Sequence, residues 1–190
     1  MCTEIEAKLK VDSHKQIIAK LTELGAEFLE ERLQKDYYFD DAKAGFRKTD
    51  RCLRLRRELV GKKEKVFLTY KGPKQEDNFK KRQQLEVEVT DGDSMEKLLS
   101  ALAYKKVLAF EKRRQIWRLG GCEVALDQLP LLGHFVEIEG PDDAKIADVQ
   151  KNLGLSDLPH IKDSYAHLME EKLRQLGKKE TEVFWEPQCQ

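Results

Sequence analysis

The chain has 190 residues, with 35 Lys and Arg against 35 Asp and Glu, so its formal net charge is zero. This length fits a single domain, and a hydrophobic fraction of 40% is enough for a core although 37% of the residues are charged. Proteins that hold nucleic acid or an anionic membrane by bulk electrostatics carry a clear positive excess, so neither partner is expected and any anion site must be local.

The N-terminal half is predicted to contain several strands and one helix. Residues 3–11 alternate charged and apolar side chains, which predicts a strand with one charged face. Ile and Leu at helical spacing, followed by Gly25, predict a helix over about 14–24. A polar loop is expected over 40–50. Further extended segments are predicted at 26–33, 36–39, 52–56, 66–71 and 84–89.

The C-terminal half continues this pattern. Asp93 and Glu96 predict a capped helix, and Gly120-Gly121 predicts a tight hairpin turn. The hairpin strands are expected at 106–119 and 123–129, a last strand at 135–139, and helices from 142 to about 154 and over about 163–176. We therefore expect one domain over 1–177 and a flexible C-terminal tail over 178–190.

Targeting and cysteine patterns point to an intracellular protein. No apolar run approaches the roughly 20 residues that a membrane-spanning helix needs, and no signal-peptide core follows Met1. A cytoplasmic location without membrane association is expected. The four cysteines lack C-x-x-C spacing, which predicts reduced thiols rather than a zinc site or a disulfide scaffold.

Period-two alternation places the charged side chains of each strand on one face. The predicted sets are Glu4, Glu6, Lys8 and Lys10; Arg54 and Arg56; Thr69 and Lys71; Glu86 and Glu88; Lys112 and Arg114; and Glu137 and Glu139. One interpretation is a half-solvated sheet whose outer face is charged for solubility. The alternative is a barrel with this face inside, whose wet interior holds a charged ligand. Paired arginines suit phosphate oxygens and paired carboxylates suit Mg²⁺ or Mn²⁺, so a polyanion with metal ions fits the second interpretation.

These motifs resemble the CYTH domain, the family of triphosphate tunnel metalloenzymes. The family signature E-x-E-x-K stands here as Glu4-Ile5-Glu6-Ala7-Lys8, and the likeness extends over about residues 3–176. The further matching stretches are 52–56, 69–72, 85–88, 112–114, 125–127 and 136–140. The resemblance implies an α+β fold, a closed antiparallel eight-stranded β-barrel that forms the tunnel, with helices packed on the outside.

The resemblance also implies roles for individual residues. Glu4, Glu6 and Glu139 would be primary metal ligands supported by Glu137, while Asp127 and Glu88 or Glu86 would serve a second metal or orient the nucleophile. Glu86 and Glu88 could instead balance cations inside the barrel. The triphosphate would be clamped by Lys8, Arg54, Arg56, Lys71, Lys112 and Arg114. Catalysis would fall to Glu4, Glu6, Lys8 and Asp127.

Three activities fit the same signature. A triphosphatase would hydrolyse a small-molecule triphosphate such as tripolyphosphate, thiamine triphosphate or ATP and release orthophosphate; this is our preferred hypothesis. A class IV adenylate cyclase would convert ATP to cyclic AMP and pyrophosphate, and residues 35–40 and 162–169 resemble cyclase-type members, although Tyr38 and Tyr165 could equally be core or rim aromatics. A non-catalytic polyphosphate or nucleotide binder is the third. A homodimer is also compatible with the sequence.

Overall fold

The computed structural model describes residues 2–73 and 80–186, and within them the side chains of 5–73 and 82–186. The chain alternates strands with short helices. In order these are β1 (Cys2–Val11), α1 (Lys15–Glu23), β2 (Glu27–Asp40), α2 (Gly45–Lys48), β3 (Cys52–Val60), β4 (Lys63–Lys71), β5 (Lys80–Val89), α3 (Gly92–Ala101), β6 (Lys105–Leu119), β7 (Cys122–Leu129), β8 (Gly133–Glu139), α4 (Asp143–Asn152), α5 (Tyr165–Gln175) and β9 (Glu182–Val183).

The eight longer strands form one curled antiparallel sheet in the order β2-β3-β4-β5-β1-β8-β7-β6, and β2 also pairs with β6. This arrangement, with helices on the outer side, confirms the predicted fold class. The wall is incomplete at the seam between β1 and β5, which pair only from Cys2↔Gln84 to Glu6↔Lys80. Beyond Glu6, β1 pairs only with β8 among the described strands. Beyond Gln84, β5 pairs only with β4 among them. The sheet is therefore open along this side, which corrects the expectation of a fully closed barrel.

Apolar residues on the outer face of the sheet hold the helices. One core cluster joins Leu9, Leu126 and Val136 of the sheet to Ile17 of α1 and Ile146 of α4. A second cluster places α3 over β3 and β4. Because side chains alternate along each strand, burying this face turns the charged set inward.

Local signals set most element boundaries. Gly120 and Gly121, with φ of 60° and 80°, make the predicted β6–β7 turn. Helix α3 begins earlier than predicted, because its N-cap is Asp91, whose carboxylate accepts from the backbone N–H groups of Asp93 (2.9 Å) and Ser94 (3.1 Å). The predicted loop at 40–50 contains the short helix α2.

The C-terminal tail differs from the prediction. Residues 182–183 form β9, which pairs in parallel with β6, so this part of the tail is packed against the sheet rather than flexible. The sequence underestimates such contacts because a two-residue strand has no periodicity to detect. Residues 187–190 of the predicted tail lie outside the described residues. In the part of the chain that is described, no helix combines the length and hydrophobicity that crossing a membrane requires.

Candidate active site

The inward face of the sheet surrounds a cavity of about 340 Å³, at the lower end of the range for small-molecule sites. All six predicted clamp residues line it: Lys8, Arg54, Arg56, Lys71, Lys112 and Arg114. Among the described residues they are joined by Arg47, Arg51 and Arg82, and by carboxylates that include Glu6, Asp36, Glu86 and Glu137. The six clamp residues, which lie on four separate strands, thus converge on one cavity.

A buried carboxylate holds the two β3 arginines in place. Arg56 donates to both oxygens of Asp36, from Nε at 2.6 Å and from Nη2 at 2.7 Å, and Nη1 of Arg54 lies 3.8 Å from the same carboxylate. Burial alone would raise the pKa of Asp36, but Arg56 and Arg54 outweigh it and hold that pKa well below its usual value. Asp36 was not among the predicted site residues, although its phase on β2 would have placed it on the inward face.

A second network is centred on Asp127, which is completely buried. Its two oxygens accept from Nε of Arg114 at 2.7 Å, Nη2 of Arg114 at 2.5 Å, Nζ of Lys112 at 3.1 Å and the hydroxyl of Tyr165 at 2.9 Å. Burial and the neighbouring Arg114 lower the pKa of Lys112 to about 7. Burial and then the Asp127 charge raise the pKa of Tyr165, so this phenol stays a neutral donor. Asp127 therefore orders the cationic clamp from behind the cavity wall.

Lys8 sits where β1 meets the start of α5. Its side chain is almost completely buried, its ammonium donates to the backbone oxygen of Asp163 at 2.9 Å, and it lies 3.4 Å from the Glu137 carboxylate. The same ammonium is 4.2 Å from the centre of the Tyr165 ring. Lysine in this position combines a cation–π contact with a charge that faces the cavity.

The predicted metal ligands are only partly brought together. Glu6 and Glu137 line the cavity, and the backbone of Glu139 pairs with Glu6 across β1 and β8. Glu88 is exposed and lies outside the cavity wall. The Glu4 side chain lies outside the described residues. Among the side chains that are described, no group of three or more His, Cys, Asp or Glu residues is placed to hold a metal ion.

Arg82 is a cavity residue that the sequence reasoning missed. It is buried on β5, and its Nη2 lies 2.8 Å from a carboxylate oxygen of Asp50, in the loop after α2. Extending the alternation of Glu86 and Glu88 back by two and four residues reaches Gln84 and Arg82, so the signal was present. Only the β5 pairing shows that the strand begins early enough for Arg82 to belong to it.

One mouth of the cavity lies between α2 and α5. Arg47 of α2 and Glu170 of α5 form an ion pair of 2.5 Å across it. Phe46 also lines the cavity here and stacks on Tyr104 with ring centres 5.8 Å apart. This end therefore offers apolar and aromatic surface beside the cationic clamp.

Comparison with known proteins agrees with this geometry. A curated relative from Methanocaldococcus jannaschii, named "Putative adenylate cyclase MJ0240", is 35% identical over 136 residues, which cover 72% of this chain and 75% of the relative. "Adenylate cyclase CyaB" of Aeromonas hydrophila is 29% identical over 180 residues, 90% of either chain. The solved structure of the PH1819 protein from Pyrococcus horikoshii matches with a TM-score of 0.77 and 32% identity, covering 89% of this chain and 99% of that one. The family model described as "CYTH domain" matches residues 3–165, and the chain belongs to the CYTH domain family.

Proposed function

We propose that this chain is a divalent-metal-dependent triphosphatase that binds a triphosphate in the cavity and releases orthophosphate. The observation that carries the proposal is a pair of unsatisfied donors: the buried Nε–H groups of Arg54 and Arg82 have no hydrogen-bond partner among the described residues. Leaving a buried charged donor unpaired costs free energy, and an anionic ligand oxygen would satisfy it. Both arginines line the cavity that also holds the other clamp cations.

The distribution of charge supports a polyanion rather than a single phosphate. Arg54 and Arg56 are on β3, Lys112 and Arg114 on β6, and Lys8 on β1, so cations face the cavity from several directions. A triphosphate carries negative charge along its whole length and would contact these walls together. Arginine forks bind phosphate oxygens in pairs and also counter charge that develops on the oxygens during transfer.

Members of the CYTH family are metal-dependent enzymes that act as adenylate cyclases or triphosphatases. In this chain Glu6 and Glu139, adjacent across two strands, together with Glu4 and Glu137, would hold Mg²⁺ or Mn²⁺, because such hard cations prefer carboxylate oxygens. Bound metal would neutralise phosphate oxygens and polarise the attacked phosphorus. Asp127 fits this role poorly, since unlike Glu137 it does not line the cavity, and its oxygens already accept from two cations and a phenol.

In the proposed reaction a water molecule attacks the terminal phosphorus. As the water oxygen bonds to that phosphorus, the bond from the phosphorus to the bridging oxygen breaks. The attacked phosphoryl group becomes orthophosphate, a diphosphate or its ester is the leaving group, and the proton of the water passes to the products or to solvent. The clamp holds the chain of phosphates extended, so that the attacking and leaving oxygens can lie in line. The cations Arg56 and Arg114, each fixed by a buried carboxylate, require no rearrangement to stabilise the leaving charge.

Adenylate cyclase activity is the second candidate, favoured by the names of the two curated relatives. Here the 3′-hydroxyl of ATP would attack the α-phosphorus and displace pyrophosphate. The aromatic mouth around Phe46 is the surface on which an adenine could stack. Both reactions would use the same clamp, so the product identifies which one occurs.

A product assay tests both candidates. Purified protein with Mg²⁺ or Mn²⁺ is given tripolyphosphate, thiamine triphosphate or ATP, and orthophosphate, pyrophosphate and cyclic AMP are measured separately. Orthophosphate without cyclic AMP is expected, and cyclic AMP with equal pyrophosphate would establish the cyclase instead. Arg54→Ala should weaken turnover, whereas Arg118→Ala, at an exposed ion pair with Glu27, is the matched control. Triphosphate binding without any product would overturn both enzymatic proposals.

A further inference from the structure

Residues 181–186, which we call the C-terminal strap, complete the edge of β6. β7 pairs with β6 only from Arg113 onward, and β9 pairs with the stretch before it, at Ala109 and Phe110. The backbone N–H of Ala109 donates to the carbonyl oxygen of Thr181 at 2.7 Å. The strap thus continues the sheet along β6 beyond the end of β7.

Side chains of β6 fasten the strap. Lys106 forms an ion pair of 2.8 Å with Glu182, and the backbone N–H of Trp185 donates to the buried carboxylate of Glu111. The guanidinium of Arg113 lies 4.9 Å from the centre of the Trp185 ring. These contacts involve both main chain and side chains, so the docked position is specific.

One strap residue reaches the interior. Val183 is 8% exposed and packs in a cluster with Phe110 of β6 and with Tyr165 and Met169 of α5. Tyr165 is the phenol that donates to Asp127, and its ring lies 4.2 Å from the Lys8 ammonium and 5.1 Å from that of Lys112. Val183 therefore belongs to the same buried cluster as the ring that contacts two cations of the clamp.

We propose that the C-terminal strap is a positioning element of the triphosphate site, and that Val183 acts through Tyr165. When the strap is docked, Val183 closes the cluster behind Tyr165 and fixes the ring against Lys8 and Lys112. When it is undocked, the ring can withdraw and both ammonium groups lose their support. The inference rests on the proposed function, because it assumes that these cations bind a triphosphate.

Thermodynamic linkage gives two ways to test the inference: through the effect of the strap on triphosphate binding, and through the effect of triphosphate on strap docking. If the docked strap strengthens triphosphate binding, triphosphate must stabilise the docked strap by the same factor. The chain contains two tryptophans, Trp117 and Trp185, so Trp117→Phe leaves Trp185 as the single fluorescent reporter of strap docking.

The first arm measures binding and turnover in full-length variants with tripolyphosphate and Mg²⁺. Val183→Asp, which places a charge in the cluster, should raise Kd and KM about tenfold, equivalent to about 1.4 kcal/mol, with a smaller change in kcat. Val183→Ile should keep Kd and KM within about twofold of the wild-type values, since it retains an apolar side chain of similar shape. Thr181→Ala is the control, because the exposed side chain of Thr181 is removed while its docking carbonyl remains.

The second arm follows the strap itself. In the Trp117→Phe chain, saturating tripolyphosphate should reduce acrylamide quenching of Trp185. If Val183→Asp fails to fold, this quenching measurement still tests whether triphosphate binding and strap docking are coupled. Unchanged quenching, or a folded Val183→Asp variant with wild-type Kd and KM, would overturn the strap proposal alone. Absence of any tripolyphosphate binding or turnover by the unmodified chain would overturn the proposed function, and the strap proposal with it.

Discussion

Replacing Asp36 by Asn tests the buried network that supports the clamp. The carboxylate of Asp36 is 2% exposed and accepts two hydrogen bonds from Arg56, while Arg54 lies within 3.8 Å. Asparagine has nearly the same shape but no charge, and it offers one acceptor oxygen instead of two. The buried guanidinium of Arg54 and the partly buried one of Arg56 would then lose their shared counterion.

Removing one partner of a buried ion pair typically costs about 3–5 kcal/mol. Because asparagine retains one acceptor, we expect a loss of about 3 kcal/mol in the free energy of unfolding. For a protein of this size each 1 kcal/mol corresponds to about 2–4 °C in Tm, so Tm should fall by about 6–12 °C. Tripolyphosphate should recover part of this loss, since its negative charge can replace that of Asp36.

Thermal and chemical unfolding at neutral pH measure this change, with Asp93→Asn as the control. Asp93 pairs with Arg57 at the surface, where its side chain is 76% exposed, and its replacement should cost less than about 1 kcal/mol. Because the folded-state pKa of Asp36 is lowered, its stabilising effect is complete above the ordinary value of 3.8 and is lost as the pH falls below it. The difference between wild type and Asp36→Asn should therefore shrink in acid. Equal Tm values for the two proteins at neutral pH would refute the reasoning.

Three further substitutions test the other parts of the site. Arg56→Ala should raise KM for the triphosphate by about tenfold to hundredfold, because the cavity loses a cation and Asp36 loses its paired donor, and unchanged steady-state kinetics would remove Arg56 from the clamp. Glu6→Gln should increase the Mg²⁺ or Mn²⁺ concentration needed for half-maximal activity, measured by metal titration, and an unaltered titration curve would contradict a role as metal ligand. Tyr165→Phe keeps the ring over Lys8 but removes the 2.9 Å hydrogen bond to Asp127, so unfolding experiments should show a loss of about 1.5–3 kcal/mol. A variant as stable as wild type would mean that Asp127 does not depend on this phenol.

Period-two alternation made the strands and their charged faces predictable, and the resemblance implied that these faces point inward. Alternation placed Arg54 with Arg56, and Lys112 with Arg114, on charged faces, and the resemblance assigned all four to the clamp. All four line the cavity. Alternation also carries information about Asp36 and Arg82, but it does not show where a strand begins or which residues of a face reach the ligand.

Glu88 shows the limit of the same argument. It shares a face with Glu86, which lines the cavity, yet Glu88 is exposed and lies outside the cavity, although both residues are in the part of β5 that continues past its pairing with β1. The stagger between strands depends on how they pair. The alternation within one strand does not show this pairing.

The sequence by itself determined the strand faces, the main turns and caps, and the excess of charge on one side of the sheet, because these depend on residues only a few positions apart. The tertiary structure decided which charges meet: Asp36 with Arg56, Asp127 with Arg114 and Tyr165, and the strap with Phe110. These partners are separated by 13 to 73 residues, and only the folding of the sheet brings them within reach. The cavity follows from the same cause, since burying the apolar face against the helices leaves the charged face to enclose it.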